Sequence, residues 1–247
     1  MDLRLKGKRA LVTGASRGIG RAIAEALASE GADVAICARS AGDVEATVAA
    51  LNEKGVKCTG RAVDVANGDA LRGWIADAAG ELGGLDAVVS NVSYGGGGRT
   101  SVADWRANFE IDILGAVHTV DASLPHLLKA GGGVVFIGST AGIETFGIAQ
   151  PYNVVKAGII NYAKNLSQMH AAKQVRFNVI SPGPVYFEGG AWERIKGAAP
   201  DRFNAIMDSI PMGRMGSLDD IASAALYLLS PAASYITGAT LNASGGR

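Results

Sequence analysis

Short apolar segments alternate with helical patterns along the whole chain of 247 residues. The segments are rich in Val, Ile, Leu and Ala and lack polar alternation, which is typical of strands buried on both faces. Such strands, separated by helices, form parallel sheets with helices packed on each side. The sequence therefore predicts an α/β protein with a doubly wound parallel sheet of about seven strands and helices on both faces.

The predicted elements follow one another without a linker or an internal repeat. Strands are expected at 9–12, 34–38, 57–63, 85–90, 133–137, 175–180 and 239–242, and helices at 18–29, 40–54, 69–82, 102–129, 151–171 and 217–229. We therefore expect one domain over residues 1–247. Segment 184–211 does not continue this alternation of strands and helices. It is predicted to be a substrate lid, with disorder or a plain surface excursion as the alternatives.

Composition excludes several classes of protein. Hydrophobic residues make up 48% of the chain and charged residues 19%, which argues against disorder. The 23 basic and 23 acidic residues give a net charge of zero without a basic patch, so no nucleic-acid partner is expected. No apolar run approaches the roughly 20 residues of a membrane span, and the N-terminus lacks a signal-peptide pattern. We expect a cytoplasmic protein with no membrane partner.

The cysteines and histidines do not form a metal-binding pattern. Cys37 and Cys58 show no CxxC spacing and are expected to be free thiols in a reducing compartment. His118, His126 and His170 share no ligand spacing and are expected on helix surfaces. No metal site is therefore predicted.

A glycine-rich turn, TGASRGIG at 13–20, joins the first strand to the first helix. Glycines allow positive φ and let backbone N–H groups approach a diphosphate at the positive end of the helix dipole. The turn is not a P-loop, because no Gly-Lys-Ser/Thr ends it, and it departs from strict GxGxxG spacing. The residues expected to bind the dinucleotide here are Gly14, Ser16, Arg17, Gly18, Ile19 and Gly20.

The end of the second strand reads Ala38-Arg39-Ser40. A cofactor with a free ribose 2′-hydroxyl usually meets Asp or Glu at this place, whereas a guanidinium suits a 2′-phosphate. Arg39, Ser40 and the nearby Arg17 therefore favour NADP(H), with NAD(H) still possible. The alternative is that Arg39 merely lies in solvent at a strand end.

A tyrosine, a lysine and a serine form the predicted reactive group. Tyr152 and Lys156 are four residues apart, which places them on one face of a helix. A free tyrosine has a pKa near 10, and a nearby ammonium favours the phenolate. Ser139 follows the fifth strand, at the sheet edge where ligands bind, and could orient a substrate oxygen. Gly-x-Ser-x-Gly is absent around Ser139, which argues against an acyl-transfer serine.

In this combination the chain resembles the short-chain dehydrogenase/reductase family over essentially its whole length. The matching pieces are TGASRGIG at 13–20, Asp64-Val65, Ser139, Tyr152 with Lys156, Pro182-Gly183, PMGRMG at 211–216 and Gly245-Gly246. The resemblance implies that the predicted sheet is Rossmann-like and that residues 1–247 form a single NAD(P)-binding domain. It implies a tyrosine acid/base, a serine that holds the substrate oxygen, and a lysine that binds the nicotinamide ribose. It also implies further cofactor contacts from Asp64, Val65, Asn91, Val92, Pro182, Gly183 and Val185, and assembly as a homotetramer or homodimer.

Three positions depart from the family pattern. The family's Asn-Asn-Ala-Gly reads Ser90-Asn-Val-Ser93, so Val92 adds bulk where cofactor and backbone lie close. The fourth catalytic position, usually Asn, is matched by Asp112. The family role of this position runs largely through a backbone carbonyl that holds a water, which Asp would preserve; alternatively, its charge could alter the proton relay through Lys156. A threonine often found after Pro-Gly corresponds to Phe187, which removes a side-chain contact to the carboxamide.

The sequence thus predicts an NADP(H)-dependent oxidoreductase that interconverts a carbonyl and an alcohol substrate with Tyr152 as the acid/base. The alternative is a non-catalytic NADP(H)-binding sensor or oligomer partner of the same fold. Four aromatic residues, Phe146, Tyr186, Phe187 and Trp192, fall near the expected pocket and suggest an apolar or ring-bearing substrate. They could equally be packing residues.

Overall fold

A seven-stranded, fully parallel sheet forms the centre of the computed structural model, which describes residues 2–96, 98–145 and 147–247. The strand order is β3-β2-β1-β4-β5-β6-β7. The strands are β1 (Arg9–Thr13), β2 (Asp33–Ala38), β3 (Cys58–Ala62), β4 (Ala87–Ser90), β5 (Gly132–Ile137), β6 (Val175–Pro182) and β7 (Thr240–Ala243). The predicted Rossmann-like, doubly wound sheet is confirmed.

Nine α-helices are described around this sheet. They are α1 (Gly18–Ser29), α2 (Ala41–Asn52), α3 (Gly68–Leu82), α4 (Val102–Asn108), α5 (Gly115–Ala130), α6 (Pro151–His170), α7 (Ala191–Ala198), α8 (Pro200–Asp208) and α9 (Leu218–Leu229). Within these described residues, no helix combines the length and the apolar character needed to cross a bilayer.

Successive strand residues supply two separate apolar cores, one on each face of the sheet. Ala10 and Val12 of β1 pack into the core formed with α1, α2 and α9, while Leu11 packs into the core formed with α3, α5 and α6. This alternation explains why the central strands read as continuous apolar runs, since both faces are covered. Cys37 lies inside the second core, where burial raises the pKa of its thiol to about 12.

Two sequence expectations needed correction. The helix predicted over 102–129 is interrupted by a π-helical segment, Phe109–Leu114, which separates α4 from α5. The edge strands β3 and β7 are also not apolar throughout, because each has only one neighbouring strand and most of its residues reach solvent. Segment 184–211, which showed no single helix in the sequence, contains two short ones, α7 and α8.

The strand order creates a crevice at the carboxyl edge of the sheet. β1 pairs with β2 on one side and with β4 on the other, so the connections from these strands leave in opposite directions. Ligands of open α/β sheets bind in the crevice at such a switch point. Every site residue predicted from the sequence follows a strand end or lies on a helix that borders this edge.

A partly buried ion pair ties β1 to the start of β4. Arg9 donates from Nε to Asp86 Oδ2 at 2.7 Å and from Nη2 to Oδ1 at 3.1 Å, and its backbone N–H reaches Oδ2 at 3.0 Å. Burial alone would raise the pKa of Asp86, but its hydrogen bonds from Arg9 outweigh burial and hold that pKa below its usual range. The pair therefore joins β1 to β4 at the amino edge of the sheet, opposite the crevice.

We predict that Asp86→Asn lowers the free energy of unfolding at neutral pH by about 1 kcal/mol, toward the low end for a charge-assisted pair that is partly exposed. Because the folded-state pKa is lowered, the carboxylate's contribution is present above pH of about 3.9 and is lost as the pH falls through the folded pKa. Urea unfolding of both proteins at several pH values checks this. A stability difference that stayed constant into strong acid would contradict it.

Candidate active site

The glycine-rich turn after β1 brings the backbone into closer contact than side chains would allow. Gly14 and Gly18 have φ of +67° and +57°, in the region that favours glycine. A Cβ on Gly20 would lie 2.4 Å from the carbonyl oxygen of Gly14. These positions explain why the sequence needs glycine here. Without side chains at these glycines, the backbone before α1 forms an open cradle, the term used below for this turn.

The N-terminus of α1 lies at this cradle without a side-chain cap. Its N-cap residue is Arg17, which makes no capping hydrogen bond, and the first turn holds no acidic residue. The first N–H groups of a helix have no partner inside the helix, and the helix dipole adds positive potential there. The described residues of the turn, with Ser16 and Ile19 beside the glycines, thus fit an anionic diphosphate.

Asn91, which follows β4, holds the glycine-rich turn through hydrogen bonds. Its side-chain amide donates to the carbonyl oxygens of Thr13 and Gly14 at 3.1 and 3.0 Å, and its backbone N–H donates to Thr13 Oγ1 at 3.1 Å. Val92 also packs here, because a Cβ on Gly14 would lie 2.8 Å from Val92 Cγ2. The valine therefore sits against Gly14.

The residues expected at the adenosine end follow β2 and β3 in order. Arg39 and Arg17 are exposed, and their side chains have no hydrogen-bond or ion-pair partner among residues 2–96, 98–145 and 147–247. Ser40 is engaged as the cap of α2, where its hydroxyl accepts from Asp43 N at 3.4 Å. Asp64 is exposed, whereas Val65 is buried. Two free guanidiniums thus lie at the carboxyl ends of β1 and β2.

A buried lysine connects three elements beneath the tyrosine. Lys156 is 3% exposed and donates from Nζ to the carbonyl oxygen of Ile137, at the end of β5, at 3.0 Å. Its ammonium lies 5.7 Å from the centroid of the Tyr152 ring, one helical turn earlier on α6. The spacing predicted from the sequence therefore brings the two side chains together as expected.

Asp112 supplies the negative charge facing this lysine. Its Oδ1 lies 3.1 Å from Lys156 Nζ, and the carboxylate side chain is fully buried. Oδ1 accepts no hydrogen bond from any described residue, so the contact is electrostatic, while Oδ2 accepts the Tyr94 N–H at 2.9 Å. Asp112 thus holds both the lysine and the loop after β4.

Ser139 and Tyr152 line one cavity of about 340 Å³ at the end of β5. Ser139 caps a short 3₁₀ turn, with its Oγ accepting from Ala141 N at 3.1 Å. Pro182, the last residue of β6, and the adjacent Gly183 form another part of the wall. A cavity of this size is at the lower end of small-molecule pockets. A hydroxyl and a phenol therefore converge on one space that a small substrate could fill.

Segment 184–211 is joined to the domain at its first residues. Val185 is buried and pairs with Gly216, and Tyr186 N donates to Gly216 O at 2.9 Å. After this short bridge the chain forms α7 and α8, which contribute Trp192, Arg202 and Ile206 to the cavity wall and are together called the cover below. Gly216, the last residue of the PMGRMG segment, therefore anchors the chain that leads into the cover.

The four aromatic residues noted in the sequence have different positions. Trp192 lines the cavity, whereas Tyr186 packs against Phe203 with ring centroids 6.1 Å apart. Phe187 lies on the glycine-rich turn, since a Cβ on Gly18 would be 3.1 Å from Phe187 Cζ. Phe146 lies outside the described residues.

Sequence reasoning did not find several residues of the cavity wall. These are Ile148, Gln150, Arg202, Ile206 and Arg247. Arg202 and Ile206 belong to α8, in a segment whose helices have no strong pattern, and the others lie in loops or at the chain end. No motif in the sequence marks them, because they reach the cavity only when α8 and these loops have packed at the edge of the sheet.

We predict that Asp112→Ala destabilises the fold by about 3–5 kcal/mol, because it leaves the buried ammonium of Lys156 without a countercharge and the Tyr94 N–H without an acceptor. Asp112→Asn, the matched control, keeps an acceptor and should cost less. Urea unfolding of the three proteins measures both effects. Equal stabilities for the two variants would argue against the buried pair.

The sequence profile of the family described as enoyl-(acyl carrier protein) reductase matches residues 14–247. Isoepoxydon dehydrogenase patN of Penicillium expansum is 33% identical over 250 residues, covering 98% of this chain and 95% of the relative.

Two solved structures have the same fold over nearly the whole chain. L-Sorbose reductase from Gluconobacter frateurii, complexed with NADPH and L-sorbose, matches with a TM-score of 0.91 and 28% identity, covering 100% of this chain and 98% of the other. Carveol dehydrogenase from Mycobacterium avium, in complex with NAD, matches with a TM-score of 0.90 and 26% identity, covering 98% of each chain.

Proposed function

Because the chain belongs to the short-chain dehydrogenase/reductase family, we propose that it is an NADP(H)-dependent oxidoreductase that interconverts a ketone or aldehyde and an alcohol. The observation that carries the proposal is the convergence of Ser139 and Tyr152 on one cavity, with Lys156 directly behind the tyrosine ring. The nicotinamide group supplies or accepts the hydride when it is bound. The protein supplies the proton, the orientation and the exclusion of water.

Tyr152 is the proposed acid/base. It lines the cavity at the first turn of α6, and its hydroxyl has no hydrogen-bond partner among the described residues, so it is available to a substrate oxygen. In the direction of reduction, the phenol donates its proton to that oxygen as negative charge develops there. General acid catalysis of this kind contributes about 10²–10⁴-fold.

Ser139 is the proposed donor that positions the substrate oxygen. Its Oγ accepts the Ala141 N–H, which leaves its own hydrogen free to point toward the cavity. A preorganised donor aimed at a developing alkoxide stabilises the transition state more than the ground state. Serine and tyrosine together would hold one oxygen from two sides.

Lys156 and Asp112 are proposed to support the tyrosine from behind. The hydrogen bond to Ile137 O and the nearby carboxylate fix the ammonium below the Tyr152 ring. A fixed positive charge favours the phenolate that remains after the proton has left. Because Asp112 touches neither the cavity nor Tyr152 in the described contacts, it is a positioning residue in this proposal.

The preference for NADP(H) rests on charge at the ends of β1 and β2. Ala38 and Arg39 stand where a carboxylate would bind a free ribose, and Arg17 adds a second exposed guanidinium. A 2′-phosphate would pair with both by charge-assisted hydrogen bonds. The bare backbone of the glycine-rich turn would hold the diphosphate, and NAD(H) remains the alternative because structures of this fold hold either dinucleotide.

We predict that Tyr152→Phe lowers kcat for ketone reduction by about 10²-fold or more while NADPH binding stays unchanged, because only the proton donor is lost. NADPH oxidation with simple ketones and a fluorescence titration measure the two effects. Tyr235→Phe removes a hydroxyl from a fully exposed ring and serves as the control. Full turnover by the Tyr152 variant would refute the assignment.

We predict that Ala38→Asp with Arg39→Ala shifts the ratio of NADPH to NADH affinity toward NADH by about tenfold or more, since a carboxylate repels a 2′-phosphate and binds a free ribose. Lys54→Ala, near the opposite end of α2, removes one positive charge as a control. Fluorescence titration gives both dissociation constants. Tighter binding of NADH than NADPH by the unmodified protein would remove the basis for this preference.

A non-catalytic NADP(H)-binding protein of the same fold is the second candidate. It is favoured by Phe187, whose ring covers Gly18 where the diphosphate is expected, and by the carboxylate at position 112. The two candidates differ in turnover. Dinucleotide binding without oxidation of NADPH by any member of a broad ketone panel would favour this second function.

Assembly as a homotetramer or homodimer is also part of the proposal. Val102, Trp105, Phe109 and Val154 expose large apolar side chains on α4, the π-helical segment and α6. Adjacent exposed apolar side chains mark surfaces that associate.

Segment 184–211 is proposed as the substrate lid, and a cytoplasmic location is kept as part of the same proposal.

A further inference from the structure

The cavity beside Ser139 and Tyr152 has a charged side that the proposed chemistry does not use. Two of its wall residues are arginines: Arg202 on α8, and Arg247 after β7. Among the wall residues in the described part of the chain there is no Asp or Glu. The charged side chains that line this space are therefore both cationic, and they favour an anionic ligand.

Arg202 is directed to the cavity by its place on the helix. It lies one helical turn before Ile206, and both residues line the cavity, so this face of α8 is the one turned inward. Arg202 and the adjacent Asp201 are both exposed, but only Arg202 is part of the wall. No described residue forms an ion pair or hydrogen bond with the Arg202 side chain, which leaves its planar fork available to a ligand.

Arg247 is less available because it already has an acidic neighbour. Its Nε lies 3.7 Å from Glu144 Oε2, a long ion pair in which both side chains are partly exposed. Glu144 therefore offsets part of the positive charge of Arg247. Arg202, on the cover of the cavity, is the guanidinium whose charge a bound substrate would meet.

Apolar residues belong to the same cavity wall. Trp192, Ile148 and Ile206 line the space together with the residues named above, so a hydrocarbon chain or a ring bound there would contact apolar surface. Guanidinium groups bind carboxylates through two parallel hydrogen bonds. One wall thus offers a proton donor, apolar surface and a guanidinium, which suits a ligand that combines a reacting oxygen, a hydrocarbon part and an oxyanion.

We propose that the substrate is a keto acid or hydroxy acid whose carboxylate binds Arg202, and that Arg202 is the specificity-determining residue of the cavity. The inference rests on the proposed carbonyl/alcohol chemistry at Tyr152 and adds the class of substrate. Because Arg202 is on α8, binding of the carboxylate also fixes the cover over the reacting group, which excludes water from it.

The test compares matched pairs of ketones that differ only in charge. The pairs are para-acetylbenzoate with para-acetylbenzamide, and levulinate with its primary amide, each assayed with NADPH and with NADH. We expect kcat/KM to be about tenfold or more higher for each acid than for its amide, which corresponds to about 1.4 kcal/mol. Added salt should lower the value for the acids and leave that for the amides unchanged.

Variants then locate the origin of this preference. Arg202→Gln should reduce the ratio of acid to amide to about one by lowering kcat/KM for the acids alone, and Arg202→Lys should keep part of it. Lys173→Gln is the control. It removes one positive charge just before β6, at the opposite edge of the sheet, and should leave the ratio unchanged. Amides that react as well as acids, or an unchanged ratio in Arg202→Gln, would overturn the proposal.

A separate measurement distinguishes this inference from the proposed function. If none of the ketones is reduced, the proposed function fails on this panel, and binding of para-acetylbenzoate and its amide in the presence of NADP⁺ is measured by calorimetry. Binding of the acid that exceeds that of the amide and is lost in Arg202→Gln supports the carboxylate site. Equal binding of both, or none, overturns it.

Discussion

All seven strands run in the same direction, and the position of the candidate site depends on this constraint. Parallel pairing places every carboxyl strand end at one edge, so loops that are far apart in the sequence meet there. The glycine-rich turn after β1, Asn91 after β4 and Ser139 after β5 become neighbours in this way. The two apolar cores hold the sheet rigid from both faces, and the loops can therefore carry polar and strained backbone at modest cost.

Lys156 is the residue through which the separate parts of the site are connected. It joins α6 to β5 through Ile137 O and to the π-helical segment through Asp112, and Asp112 in turn holds the loop after β4 through Tyr94 N–H. A buried ammonium is costly without such partners. The same contacts that satisfy its charge also hold it below the Tyr152 ring, so stability and the geometry of the site have one origin.

The fold and the main site residues could be predicted from the sequence because they depend on local rules. Strand periodicity, the glycine-rich turn and the spacing of Tyr152 and Lys156 each act over a few residues. The π-helical segment could not be predicted, since it carries Asp112 to a contact with Lys156, which is far away in the chain, and no local pattern records such a contact. Arg202 was missed for a similar reason: only the folded cover, anchored through Val185 and Gly216, brings it to the cavity.

The π-helical segment has a consequence for how the chain can change length. A π turn holds one more residue than an α turn, and each residue of an α-helix rotates the chain by about 100°. Loss of one residue from Phe109–Leu114 would restore regular α-helical turns while α4 and α5 kept the faces they present now. The residues inside the segment would change position instead, and one of them is Asp112, which faces the buried Lys156. A deletion here would therefore alter the surroundings of Lys156 more than the packing of the two flanking helices.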